Sequence, residues 1–188
     1  SGSMNATHSY YQKAASGQQR RRSMCDAVFN ALLGCTERLA SMADIACSLA
    51  VYNDKYKVLV ERQEAGKKLQ KRLQERRAEV RPSWRGYYRE AFKALESLVQ
   101  DEVTYAVLLG DGDDDEDADS TLEVLRRLRK GFPRLQLHCI SFGGRTTDWL
   151  GTLAKVGGGM VYMNNGNDGS RTLQKIFRQI AGRVSTLR

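Results

Sequence analysis

Asp111, Asp113, Asp115 and Asp117 alternate through one short acidic run, and that density of carboxylates suits a hard divalent cation. An EF-hand-like calcium loop is one chemistry that alternating aspartates suggest. Counted from Asp111, however, Glu116 stands where such a loop needs glycine and Leu122 where it needs a bidentate glutamate, so only weak, nonspecific Ca²⁺ binding is expected. Asp111 itself has a more specific setting. The stretch 103–113, VTYAVLLGDGD, is an apolar run that breaks at glycine and then meets the carboxylates, which reads as a strand buried on both faces with its carboxyl end opening into a polar crevice. Ligands of open α/β sheets bind beyond the strand carboxyl ends, which makes Asp111, with Asp113 beside it, the first functional candidate. A solvated acidic loop after a core strand is the plainer alternative.

Other reactive groups are few. The two histidines are His8 and His138, and His138 alternates with apolar residues, so it reads as a core histidine rather than a general base. No serine sits in a Gly-x-Ser-x-Gly turn and no glycine-rich loop carries Lys-Ser or Lys-Thr, so catalysis by this chain alone is not expected. Cys25, Cys35, Cys47 and Cys139 lie far apart within apolar patterns, without C-x-x-C spacing or histidine pairing. They read as small core residues, which points to an intracellular, cytoplasmic setting.

The formal net charge of +8 is unevenly spread, because the acidic run lies in an otherwise basic chain. Basic residues gather at Arg20, Arg21 and Arg22, and again from Lys67 and Lys68 through Arg76 and Arg77 to Arg89. Such clusters suit phosphates, RNA or an acidic partner, whereas a solvated helix face is the bland reading; no RNA-recognition signature or aromatic stacking pattern accompanies them. With 188 residues, 41% of them apolar and 28% charged, the chain suits one domain over 1–188 with a full core, and 63–86 reads as a basic helical or mobile excursion. No apolar run approaches the roughly 20 residues that span a bilayer, and no signal-peptide pattern is present, so no membrane span is expected in this chain.

The elements that must position these residues follow from periodicity. A polar stretch without period through about Arg22 reads as loop. Met24, Val28, Leu32, Cys35, Leu39 and Met42 mark one face of a helix. The run 45–52, then Asn53-Asp54, then Tyr56, Val58 and Val60 in alternation, reads as a tight antiparallel hairpin at a sheet edge. Residues 63–79 are charged and only weakly apolar, which predicts a solvent-facing helix or a mobile segment, broken at Arg81-Pro82-Ser83. Tyr88, Phe92, Leu95 and Val99 predict a helix that leads into the Val103 strand. Leu122, Leu125 and Leu128 predict another, stopping at Lys130-Gly131 with Pro133 beyond. A strand over 135–142, a short helix over 148–156 capped by Gly157-Gly158-Gly159, a strand over 160–163, a turn over 164–169, and a last helix with Leu173, Ile176, Phe177, Ile180 and Val184 on one face complete the order. Alternating helices and strands imply an α/β, three-layer doubly wound fold, its mostly parallel sheet carrying one antiparallel edge strand.

This order, with three local motifs, resembles the von Willebrand factor A domain, the fold of integrin I domains. Ser1-Gly2-Ser3-Met4 looks like the tail of the family's Asp-x-Ser-Gly-Ser-Met metal loop, and Leu109-Gly110-Asp111-Gly112 is similar to its Thr-Asp-Gly. Ile140-Ser141-Phe142-Gly143, with Leu150, Leu153-Ala154 and Gly157-Gly158-Gly159 after it, is similar to its penultimate strand, short helix and glycine-rich turn. The resemblance implies a metal-ion-dependent adhesion site for Mg²⁺ or Mn²⁺, with Ser1 and Ser3 as direct ligands and Asp111 as a ligand or the holder of a coordinated water. Neutral hydroxyls around a hard cation leave it electrophilic, and an open position takes a carboxylate from a partner protein, so the metal joins an interface instead of catalysing. Where the family has threonine, alignment on the following helix places Gly86; Ser83 is the substitute by a shift of register, although Arg85 nearby repels a cation.

The family's first aspartate would fall two residues ahead of Ser1, and the strand leading into it earlier still. The resemblance therefore implies a central first strand absent from 1–188, supplied by an upstream segment or another chain. An origin of Ser1-Gly2-Ser3 as residues appended ahead of a start at Met4 stays open. The function expected is a non-catalytic interaction or scaffold module that binds a partner carboxylate through a divalent metal at a degenerate adhesion site, with an unoccupied site as the variant. The alternative is a basic surface that binds RNA or an acidic partner within a ribonucleoprotein or multiprotein assembly.

Overall fold

In a computed structural model of the chain, the described residues are 10–13, 19–22, 24–42, 44–80, 87–100, 103–110, 118–142, 148–164 and 169–185. The first departure from expectation comes at once. The polar stretch expected as loop contains two strands, β1 (Tyr10–Lys13) and β2 (Gln19–Arg22), paired antiparallel with Tyr10 opposite Arg22. Their pairing is local, and neither QRRR nor YYQK carries the alternation that announces a half-buried strand. Helix α1 (Met24–Leu39) follows where the three-and-four spacing places it, with Ala27, Val28, Phe29 and Ala31 buried.

Strands β3 (Ala46–Tyr52) and β4 (Tyr56–Glu64) form the expected hairpin. Its turn is closed by the Asn53 N–H to the Lys55 carbonyl, and its open end by the Ala65 N–H to the Ile45 carbonyl. The alternation expected in β4 does not hold: Leu59 and Val60 are both buried, and the strand changes course at Arg62, whose φ is 40°. The chain then enters helix α2 (Lys67–Arg76) through Gly66 at φ 146°, a conformation that glycine adopts without penalty. This segment is not merely solvent-facing. Leu69 and Leu73, one helical turn apart, are buried against Phe29 and Val60 and hold the charged helix down. A single 3₁₀ turn (Arg77–Glu79) ends it.

Helix α3 (Tyr88–Leu98) buries Tyr88, Phe92 and Ala94, and strand β5 (Thr104–Gly110) ends at the glycine before Asp111. Helix α4 (Ala118–Gly131) buries Leu122, Leu125 and Leu128 and stops at the predicted glycine. Strand β6 (Leu135–Phe142), helix α5 (Asp148–Val156), strand β7 (Gly158–Asn164) and helix α6 (Gly169–Ser185) complete the order. The glycines expected only to cap α5 partly join the sheet, since β7 begins at Gly158 and not Met160.

The result is a mixed α/β architecture. Strands β5, β6 and β7 form a parallel sheet with β6 in the middle, while β3 and β4 form a separate pair. Among the described residues β5 pairs with β6 alone and β3 with β4 alone. The chain divides into two compact units. The first takes in 50–59 and 83–164, and its core packs Tyr88, Phe92, Leu108, Leu125, Leu137, Cys139, Leu150 and Leu153 between the sheet and α3, α4 and α5. The second takes in 4–49, 60–82 and 165–188. In it α1 packs with both α6 and α2, and the Cys35 thiol donates to the Phe177 carbonyl. Cys139 is fully buried, whereas Cys35 and Cys47 are half-buried free thiols.

Candidate functional site

The carboxyl edge of the parallel sheet is where the first unit concentrates polar groups. Register brings Gly110 of β5 beside Ser141 of β6, Ser141 beside Met163 of β7, and Phe142 beside Asn164. Residues two apart on a strand share a face, so Ser141 lies on the side of Leu137 and Cys139, against the helices of the core. Its hydroxyl is buried and makes no hydrogen bond among the described residues, and the same is true of the Trp149 indole N–H at the start of α5. Buried hydroxyls and indoles normally find partners, so these two mark the edge as a place where polar groups collect.

Two tyrosines build the β5 end. The Tyr52 hydroxyl, from the last residue of β3, donates to the Leu109 carbonyl at 2.9 Å. Tyr88, the first residue of α3, is fully buried with its ring 6.0 Å from that of Tyr52. A β-carbon at position 110 would overlap the Tyr88 hydroxyl and two of its ring carbons, so the glycine is what lets the phenol reach the strand end. The Tyr87 N–H donates to the Asn53 carbonyl, tying the start of α3 to the hairpin turn. Strand ends, hairpin tip and helix start thus meet directly before Asp111.

On the opposite face of the sheet, His138 is fully buried in a row of rings. It stacks on Tyr105 with centroids 5.9 Å apart and planes within 2°, and meets Tyr162 at 5.8 Å. The ring belongs to the core, as its place in an apolar alternation predicts.

Of the residues singled out from sequence, Ser1, Ser3, Ser83, Arg85, Gly86, Asp111 and Asp113 lie outside the described residues. Arg20, Arg21 and Arg22 form β2, of which the backbone is described. Lys67 and Lys68 are exposed in the first turn of α2. Arg76 and Arg77 are engaged locally: Arg76 binds Glu79 at 2.6 Å, and Arg77 pairs with Asp26 while lying over the Phe29 ring at 5.6 Å. Sequence alone marks Tyr88 as a helix residue and Ser141 as a strand residue, and assigns neither of them, nor Tyr52, to the site. Position at a strand end or helix start was the available signal, but nothing local says that the three converge.

A hard cation needs oxygen donors. The described edge offers neutral ones, the hydroxyls of Ser141 and Tyr88, and among the described residues no group of three or more His, Cys, Asp or Glu side chains is placed to hold a metal. The donor types fit an oxygen-only site whose carboxylate would come from Asp111, the residue that follows Gly110.

No protein-family model matches the chain, and no curated protein matches it in sequence. Solved structures do match in fold. A von Willebrand factor type A protein from Catenulispora acidiphila superposes with a TM-score of 0.68 at 15% identity, over 84% of this chain and 37% of that one. The PilB minor pilin from Streptococcus sanguinis gives 0.68 at 15% identity, over 98% of this chain and 59% of the pilin. Proximal thread matrix protein 1 from the mussel byssus, with a zinc-occupied MIDAS motif, gives 0.65 at 12% identity, over 84% and 42%. The chain thus spans well under two thirds of each of these proteins. Parallel β5–β6–β7, the β3–β4 hairpin, the helix order and these superpositions together make the fold von Willebrand factor A-like.

Proposed function

We propose that the chain is a non-catalytic protein-interaction module whose working edge is the carboxyl end of the β5–β6–β7 sheet. There a divalent cation, Mg²⁺ or Mn²⁺, would be held by Ser1, Ser3 and Asp111, and Asp113 and Ser83 would border the partner's carboxylate. The observation that carries the reading is the position of Gly110: β5 ends there, beside buried Ser141 and under Tyr88, in a von Willebrand factor A-like fold, and Asp111 is the next residue in the sequence. The neighbour from mussel byssus has a zinc-occupied MIDAS motif, which supports a divalent ion in this type of fold. Bound there, the ion would supply a Lewis-acidic position for a partner oxygen. The module also takes a strand from another segment or chain beside β5, which among the described residues pairs with β6 alone. Unbridged thiols at Cys35, Cys47 and Cys139 support an intracellular setting.

The test is calorimetric titration with Mg²⁺ and Mn²⁺ of the chain and of its Asp111→Ala variant. Saturable binding that disappears in the variant is the expected result. Equal binding by both proteins, or none by either, removes the metal from the proposal.

A further inference from the structure

The second unit concentrates the positive charge of the chain: basic residues outnumber acidic ones there by more than two to one, whereas in the first unit acidic residues are the more numerous. Within that unit the cations are arranged on helices. On α2, Lys67, Lys68, Lys71 and Arg72 are all exposed, with Leu69 and Leu73 buried behind them. On α6, Arg171, Lys175 and Arg178 are exposed at spacings of four and three, one stripe of the helix, and the helix contains no acidic residue. Both helices pack on α1.

The placement on α2 is electrostatically unfavourable in the isolated protein. Four cations crowd its first turn and a half, where the helix dipole favours anions. The first turn has no acidic residue, and Gly66 offers no side-chain cap. Further along the helix the pattern reverses: Arg76 has Glu79 and Arg77 has Asp26. Among the described residues, Lys71 is the one of the four N-terminal cations with an ion pair, to Glu75 at 4.0 Å on the solvent side. A solvated face has no need to load its cations on the end of the helix that repels them, whereas a docked anionic surface would relieve that repulsion. Among the residues whose burial is described, the exposed large apolar side chains are Tyr56, Met160 and Met163, all in the first unit, so α2 and α6 present no exposed ring for stacking nucleotide bases.

We infer that the outer face of α2 is a docking surface for an acidic segment of a partner protein. This rests on the interaction-module reading and adds a second contact area, distinct from the sheet edge. The probe is poly-L-glutamate, with a duplex RNA of matched charge for comparison, followed by fluorescence anisotropy at two ionic strengths. The expected result is poly-L-glutamate binding that weakens with salt and falls at least about tenfold in the double variant Lys68→Glu/Arg72→Glu, whose positions are exposed and leave the core untouched. The charge-matched control Arg126→Glu/Lys130→Glu, on exposed positions of α4, retains binding.

Equal losses in both double variants would reduce the effect to net charge and overturn the assignment. Tighter binding of the duplex RNA at the same ionic strength would overturn it in favour of nucleic acid, and no binding of poly-L-glutamate would overturn it outright. The titrations are run with chelator present, so carboxylate capture at the proposed metal site does not contribute, and failure of the metal site and failure of the basic surface are read separately.

Discussion

At Gly110 a β-carbon would overlap the Tyr88 hydroxyl and lie 2.9 Å from two of its ring carbons, and Tyr88 is fully buried, so the ring has no room to swing aside. Gly110→Ala should therefore destabilise the protein by about 1–3 kcal/mol, the usual cost of overpacking a core. Urea denaturation measures it, and a loss indistinguishable from zero would show that the phenol yields. The same pair marks the limit of legibility at this scale. Asp111 could be nominated from sequence because a strand that ends in glycine before a carboxylate run carries its own signal. Tyr88 could not, because its role depends on meeting a residue 22 positions later in another element. Ser141 was quoted as part of a strand motif, yet its buried hydroxyl becomes notable only when register sets it beside Gly110.

Helices α4 and α6 were the most legible, because each buries several large side chains on one face; in α1, by contrast, Leu32, Cys35 and Leu39 of the expected face are only half-buried, while Ala27, Phe29 and Ala31 are buried. Helix α2 was harder, since only Leu69 and Leu73 distinguish it from a solvated excursion. Those two residues should carry the segment: Leu69→Ala or Leu73→Ala should each cost about 2–5 kcal/mol, as buried leucine truncations do. If either variant unfolds at the same urea concentration as the parent, α2 does not contribute to the core of its unit. Charge should act in the opposite sense at the same helix. Lys68→Glu puts a carboxylate in a first turn that has none, so it should leave stability unchanged or raise it by about 0.3–1 kcal/mol. Strands β1 and β2 were not legible, because neither buries an alternating face that could be read from sequence.

For the molecule as a whole, pH exposes how much the fold relies on keeping thiols neutral. Burial pushes the Cys139 thiol from 9.0 up to about 12; Cys35 rises to about 11, by burial and then by the neighbouring Cys47, and Cys47 to about 11 by burial. A raised folded-state value means the native protein holds these protons more tightly than the unfolded chain does. Their contribution is therefore complete below about pH 9 and is lost as pH rises through 11 to 12. Denaturation midpoints should fall over that window, and more shallowly in a Cys35→Ala/Cys47→Ala/Cys139→Ala variant; parallel slopes in the two proteins would exclude the thiols as the cause.

Sheet order is the other property of the whole chain, and it was legible only in part. The alternation of helices and strands predicted a parallel sheet and one antiparallel hairpin, both of which form, but which strand has an exposed side depends on pairings that no local pattern encodes. Strand β6 lies between β5 and β7, and Leu135, Leu137, Cys139 and Ile140 are at most 2% exposed. Strand β5 is apolar from Tyr105 to Leu109, yet Ala106, Val107 and Leu109 are only half-buried. The Leu109 carbonyl accepts from the Tyr52 hydroxyl, and among the described residues β5 pairs with β6 alone. Amide exchange should accordingly be slow at Ile140 and much faster at Val107 in the chain alone, and should slow at Val107 when another strand docks beside it. Comparable protection at the two amides in the chain alone would mean that this side of β5 is already covered, and the strand-accepting part of the proposal would fall.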